Sequence, residues 1–365
     1  MSDQEDQYDL FKMLLQENSD YNDTTDPNYV VSKTVMLCPK TAVNEFGARF
    51  IPVFYYVNFL LSYIGNGLVL FIIYKYEKLN TVTNIFLLNL VLSNFLFAFS
   101  LPFWATYHLS EWVFGLAMCK LVSSAYLIGF YSSILFLTLM TFDRYLAVVH
   151  AISAAKRRKK MYAIIASVGV WCLSVAASVK ELVLQNVWKN EMSGLLCEQS
   201  GYPEEIMQRW NLFSYYLQFL VFFLLPLFMV MFCYISITIR ILSTRMREKC
   251  RAIKLIFVII FTFFGCWTPY NIVILLKAMQ VSSGSEERSC SDSDRLDYAL
   301  YVTRNIAYLY CCISPVFYTF VGKKFQSHFR RLIAKKIPCL KAHISLSSQS
   351  SRSTSQKTAH SAYEY

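Results

Sequence analysis

The sequence predicts an all-α membrane protein, a seven-transmembrane helix bundle followed by a short amphipathic eighth helix. Three observations carry that expectation. Seven apolar runs each reach the roughly 20 residues that a helix needs to cross hydrocarbon. The links between the runs place Lys and Arg on alternate sides, the pattern of a chain threaded through a bilayer. The 365 residues are 55% hydrophobic and only 16% charged, with mean hydropathy +0.37. A soluble domain of this size would have to show much of that apolar surface to water. Aromatic residues make up 16% of the chain, which suits bilayer interfaces and packed bundles.

Residues 1–49 read as an extracellular tail. Asp3, Glu5, Asp6, Asp9, Glu17, Asp20, Asp23 and Asp26 make it acidic, and it has too few apolar residues to fold alone. Tyr8 and Tyr21 stand beside carboxylates, a setting that suits sulfation, and Asn22-Asp23-Thr24 is a glycosylation sequon. No cleavable leader is visible at this polar start, so the first apolar span is expected to act as its own targeting signal.

The bundle is expected over 50–320, with spans at 50–75, 84–107, 118–149, 161–184, 211–240, 252–279 and 298–320. Lys75 and Lys78, the run Lys156-Arg157-Arg158-Lys159-Lys160, the cations from Arg245 to Lys254, and those from Lys323 to Arg331 all fall on one side. The charge rule makes that side cytoplasmic and puts the N-terminus outside. The net charge of +11 therefore reads as membrane topology, and no nucleic-acid partner is expected. Pro102, Pro226, Pro269 and Pro315 lie inside spans, where neighbouring helices or water can satisfy the freed carbonyls.

Residues 321–338 read as the amphipathic eighth helix on the inner leaflet, and 339–365 as a disordered Ser/Thr-rich tail open to phosphorylation. Cys339 is a candidate for palmitoylation. Of eleven cysteines, Cys38, Cys119, Cys197 and Cys290 fall in the extracellular stretches, where three pairings are open to them. No Cys/His spacing suggests a metal, and no phosphate loop or nucleophile–base pair suggests an enzyme or a cofactor.

The third span ends in Asp143-Arg144-Tyr145, a charge pair behind twenty apolar residues. Ionised groups at such depth cost several kcal/mol unless they pair, about 2.5–3.5 on insertion scales. The plain reading is an arginine snorkelling to the interface beside its neighbour.

These residues resemble rhodopsin-like G-protein-coupled receptors and, within them, the chemokine receptors. The likeness runs from about Cys38 to Phe329. It is carried by Gly65-Asn66, Leu87-Leu88-Asn89-Leu90, Ser100-Leu101-Pro102-Phe103-Trp104, Trp112-Val113-Phe114-Gly115 and Asp143-Arg144-Tyr145. Trp171, Pro226 with Tyr234, Cys266-Trp267-Thr268-Pro269-Tyr270, and the stretch from Pro315 to Tyr318 complete it. Arg304-Asn305-Ile306-Ala307 looks most like the XC (lymphotactin) receptor, whereas the Asp143 to His150 stretch looks CC-like.

The resemblance implies the pairings Cys119–Cys197 and Cys38–Cys290. It implies a basic chemokine as ligand, attracted by the acidic tail with Tyr8 and Tyr21, and a pocket lined by Tyr55, Trp104, Tyr126, Trp267, Tyr270 and Arg304. Most CC and CXC receptors carry a glutamate where Arg304 stands, so this residue is expected to set ligand class. It would exclude a ligand's amine or hold a carboxylate or carbonyl.

The switch implied is Arg144, held by Asp143 at rest and facing Tyr234 and Tyr318 once released, with Trp267, Pro269 and Pro315 near the hinges. The partner inside would be a Gi-class G protein, driving calcium signalling and chemotaxis in an immune response. Arrestin and receptor kinases would follow at the tail, all at the plasma membrane. Two departures stand out. Asn94 replaces the family's usual aspartate, and Ser314 its usual asparagine; with Ser133 these positions would form a buried sodium site, which the missing carboxylate is expected to weaken. A scavenging receptor that binds chemokine without G-protein coupling is the alternative, although such receptors usually depart at the Asp-Arg-Tyr stretch kept here.

Overall fold

In the computed structural model, the described residues are 41–76, 79, 81–150, 160–190, 194–243, 249–282 and 290–321, with the side chains of 41, 249–261, 263, 290 and 311–321 left aside. Nine α-helices among them build seven spans. These are α1 (Thr41–Tyr76), α2 (Val82–Leu109), α3 (Gly115–Val149), α4 (Lys160–Ala177) with α5 (Val179–Leu184), α6 (Glu204–Phe219) with α7 (Leu225–Ser243), α8 (Lys249–Ser282) and α9 (Cys290–Val321). Five spans among the described residues are long and apolar enough to cross a membrane.

The spans close on themselves. Helix α1 packs along α2, α2 along α3, α3 meets both α4 and α7, α6 and α7 meet α8, and α9 returns from α8 to α1. Asn58, Ser62, Asn66 and Asn94 are fully buried between spans. On the outside, Ile64 (70% exposed) and Phe228 (65% exposed) show the apolar surface expected of a lipid-facing helix.

Three features depart from the sequence expectation. Helix α1 starts at Thr41, inside the stretch read as tail, because Val43 and Gly47 are buried there. Phe46 meets Tyr298 edge-on at 5.2 Å, and a Cβ on Gly47 would come within 3.1 Å of the Tyr301 ring. The helix therefore continues because it has α9 to pack on.

The second departure is an antiparallel hairpin in a chain read as all-α. Strand β1 (Gln185–Asn190) pairs with β2 (Gly194–Gln199), Val187 opposite Cys197. Gly194, at φ +71°, starts the returning strand in a conformation that favours glycine. The third is a π-helical turn at Leu220–Leu224, where the Leu225 N–H reaches back to the Leu220 carbonyl, one residue beyond the α-helical partner. Pro226 explains it: the ring has no N–H and would clash with the carbonyl four residues back, and the wider turn relieves both.

Candidate functional site

The two ends of the bundle differ in construction, and they are named here by the hairpin and by Asp143. At the hairpin end, Trp112 and Gly115 turn the chain from α2 into α3. Trp112 donates from Nε1 to the Gly115 carbonyl (2.9 Å) and from its backbone N–H to the Leu195 carbonyl (2.7 Å). Gly115 sits at φ +77°. Trp112 is wholly buried against Cys119 and Cys197, which form a disulfide, as the resemblance implied. Glu111 accepts from the Leu195 N–H (2.7 Å), and Lys120 donates to the Leu182 and Val183 carbonyls at the end of α5 (2.8 and 3.1 Å). The hairpin is thereby pinned to the start of α3.

Below it lies an aromatic cluster fed by five spans. The Tyr126 and Phe130 rings are parallel at 6.2 Å, Phe130 touches Trp267 at 4.7 Å, and Tyr126 meets Tyr308 edge-on at 5.6 Å. Tyr55 faces Tyr308 at 6.0 Å. Arg304 is the cation among these rings. Its guanidinium lies over Tyr301 at 5.7 Å and interacts electrostatically with Tyr55, Tyr126 and Tyr270. Trp104, half-buried, packs on Trp112 at 5.7 Å, between this cluster and the disulfide corner. So Tyr55, Tyr126, Tyr270 and Arg304, named from the sequence, come together, and Trp267 forms the floor.

The sequence reading missed two members. His108, at the end of α2, faces Tyr55 at 6.2 Å and senses the Arg304 charge. Phe130 joins Tyr126 to Trp267. Their signal was present: His108 lies one helical turn beyond Trp104, and Phe130 one turn beyond Tyr126.

At the Asp143 end the chemistry is polar. Asp143 is buried (4% exposed) and accepts a hydrogen bond from Thr83 Oγ1 at 2.7 Å, which joins the start of α2 to the end of α3. Arg144, next in sequence, is exposed. Tyr145 pairs with His150 (3.0 Å) and packs on Phe232 of α7 at 5.5 Å. Tyr234 is buried beside it, within the field of Arg144.

Midway between the ends, Asn94 Nδ2 donates to Asn66 Oδ1 at 2.9 Å, and Asn66 Nδ2 donates to the Ser62 carbonyl at 2.9 Å. Ser133 turns its hydroxyl to the Phe130 carbonyl (2.8 Å). An amide thus occupies the place of the expected carboxylate and is bonded across to α1. Trp171 donates to Asn89 at 2.9 Å and locks α4 to α2.

Tyr8, Tyr21, Asn22, Cys38, Cys339 and the expected eighth helix lie outside the described residues, as do the side chains of Cys290, Ser314, Pro315 and Tyr318. Pro269 falls inside α8, beside Trp267 and Tyr270.

Residues 65–318 match the model of the 7 transmembrane receptor (rhodopsin family). The C-C chemokine receptor type 1 of Homo sapiens is 40% identical over 87% of this chain and 88% of its own length. The C-C chemokine receptor type 3 of Cavia porcellus is 39% identical over 82% of this chain and 83% of its own. The C-C chemokine receptor type 4 of Homo sapiens is 35% identical over 81% of each. With seven spans, the disulfide-pinned hairpin and the buried Asp143 in place, the chain belongs to the rhodopsin family of seven-transmembrane receptors, in its chemokine-receptor group.

Proposed function

We propose that this multi-pass receptor binds a basic chemokine at the hairpin end, outside the cell, and activates a Gi-class G protein at the Asp143 end, inside. One observation carries the reading: the two sites share a helix. Tyr126 and Arg144 stand 18 residues apart on α3, roughly 27 Å at about 1.5 Å per residue. A ligand wedged between Tyr126, Trp267 and Tyr270 changes packing on α3 and α8 at once, and the far ends of those helices frame the space where a G protein would enter. Such a ligand shifts the resting equilibrium only by its unequal affinity for the two states.

In this scheme the acidic tail, with sulfated Tyr8 and Tyr21 and glycosylated Asn22, attracts the ligand over the Debye length of about 8 Å. A second disulfide, Cys38–Cys290, ties the tail to the seventh span. Arg144 swings toward Tyr234 and Tyr318 on activation, about hinges at Pro269 and Pro315. Palmitoylation at Cys339 anchors an eighth helix over 321–338. Phosphorylation of the Ser/Thr tail by receptor kinases recruits arrestin, and the outcome is calcium release and chemotaxis from the plasma membrane.

The test is a chemokine panel applied to cells expressing the chain, with Gi dissociation and arrestin recruitment read in parallel. At least one chemokine is expected to elicit both. Arrestin recruitment without Gi dissociation would replace this reading by the scavenging one, and silence across a full panel at verified surface expression would remove the chemokine from it.

A further inference from the structure

Among the described residues, Arg304 has no carboxylate counter-ion. Its Nε is buried and has no hydrogen-bond partner among the described residues, and the groups that interact with its charge are the phenols of Tyr55, Tyr126, Tyr270 and Tyr301 and the His108 imidazole. Four described carboxylates of the hairpin end are committed elsewhere. Glu181 is ion-paired to Lys180 at 3.3 Å and accepts from Gln185, Asp297 is paired to Lys277, Glu198 accepts from Tyr107, and Glu111 accepts from the hairpin backbone. A buried guanidinium without a carboxylate is costly, and the penalty is relieved when an anion arrives.

The neighbours sharpen the chemistry. Tyr55 lies within the field of the Arg304 guanidinium and has a hydroxyl hydrogen to give. Tyr126 and Tyr270 face the same charge and also carry hydrogens to donate. A cluster of N–H and O–H donors around one fixed cation is matched by a group that only accepts. A carboxylate does so, with two oxygens and a geometry suited to the guanidinium fork.

We infer that this cluster is a carboxylate-binding subsite, and that the ligand fills it with an Asp or Glu side chain of the segment that enters the bundle. The inference rests on the receptor reading above and adds the class of ligand group. It also predicts selectivity by repulsion: a ligand that leads with a free amine would place positive charge against Arg304.

The first arm of the test needs no chemokine. Purified receptor in nanodiscs is heated with benzoate or with benzamide, which has the same shape and no charge. Benzoate is expected to raise the melting temperature saturably, by about 2 °C or more, in the wild type and in Arg304→Lys, and not in Arg304→Gln; benzamide should do nothing. Equal shifts from both probes, or an undiminished benzoate shift in Arg304→Gln, would overturn the subsite.

In the second arm, each Asp and Glu in the N-terminal segment of an activating chemokine is changed to Asn or Gln. One such change should lower potency at least about tenfold on the wild type, and less than about threefold on Arg304→Gln. If benzoate binds but no ligand variant loses potency, the occupant is a small free anion and the ligand assignment falls. A silent chemokine panel beside a positive benzoate arm would break the receptor reading and leave the subsite standing.

Discussion

The hairpin end and the Asp143 end of the bundle are held by different means. At the hairpin end a disulfide, a pinned strand pair, the Lys120 bonds to α5, the Lys180–Asn211 bond (3.0 Å) and the Lys277–Asp297 pair fasten neighbouring spans to each other. At the Asp143 end, the described side chains join spans without a disulfide: Thr83 Oγ1 donates to Asp143, and Tyr145 packs on α7. Recognition gains from donors held in fixed positions, because a preorganised site loses little entropy when it binds. Switching gains from an end held by hydrogen bonds, each worth about 0.5–1.5 kcal/mol net, and by packing rather than by a covalent link. The disulfide-fastened frame thus surrounds the ligand site, and the Asp143 end is the one expected to move.

The largest effect that would break this contrast is at Arg144. Arg144→Ala should abolish Gi activation while chemokine affinity stays within about threefold, as measured by labelled ligand and a G-protein sensor at matched surface expression. Retained signalling would dissolve the distinction between the ends.

Next comes the seam where α2 and α3 lie closest. A Cβ at Gly129 would stand 2.4 Å from the Phe97 backbone nitrogen and 2.8 Å from the Ser93 carbonyl oxygen, so Gly129→Ala must push the two spans apart. Overpacking of this kind costs typically about 1–3 kcal/mol, and surface expression and thermal stability should fall together. Gly67→Ala, with open space around its Cβ, should leave both unchanged; an equal loss would show that the clash at Gly129 is not the cause.

A smaller effect is expected at the tail. Changing Asp20 and Asp23 to Asn with Tyr8 and Tyr21 to Phe should weaken binding chiefly through the association rate, by about tenfold in low salt, and by less as salt screens the attraction. A loss independent of salt would indicate short-range contacts instead. The smallest concerns the middle of the bundle: Asn94→Asp should give agonist affinity a partial sodium sensitivity, read by binding in sodium against a bulky organic cation. Strong sodium sensitivity in the unaltered receptor would contradict the role given to the Asn94–Asn66 bond.

The seven spans were legible because hydropathy and loop charge report the membrane directly. The helical run before residue 50 was not, since Glu45 and Arg49 lower its hydropathy although Val43, Gly47 and Ile51 keep one face buried against its neighbours. The hairpin was hidden for another reason: six-residue strands with one buried cysteine leave little periodic signal, and their register comes from Cys119, Trp112 and Glu111 far away in sequence. Pro226 announced a disturbance but not its form, because a kink and a π turn both satisfy a missing N–H. At the site, Arg304 and its tyrosines were legible as a helical face, Tyr301, Arg304 and Tyr308. That no described carboxylate reaches Arg304 was not, because where each acid turns is decided by tertiary contacts.

The central claim is that recognition and switching sit at separable ends of one helix. It is tested most directly by measuring chemokine binding and Gi activation on the same cells for Arg304→Glu and Arg144→Ala. The account predicts opposite phenotypes. Arg304→Glu should lose binding and potency at least about tenfold yet reach the full response at saturating ligand, whereas Arg144→Ala should bind normally and stay silent. If both variants lose binding in parallel, or both keep their signalling, the two ends are not separate sites and the account is contradicted.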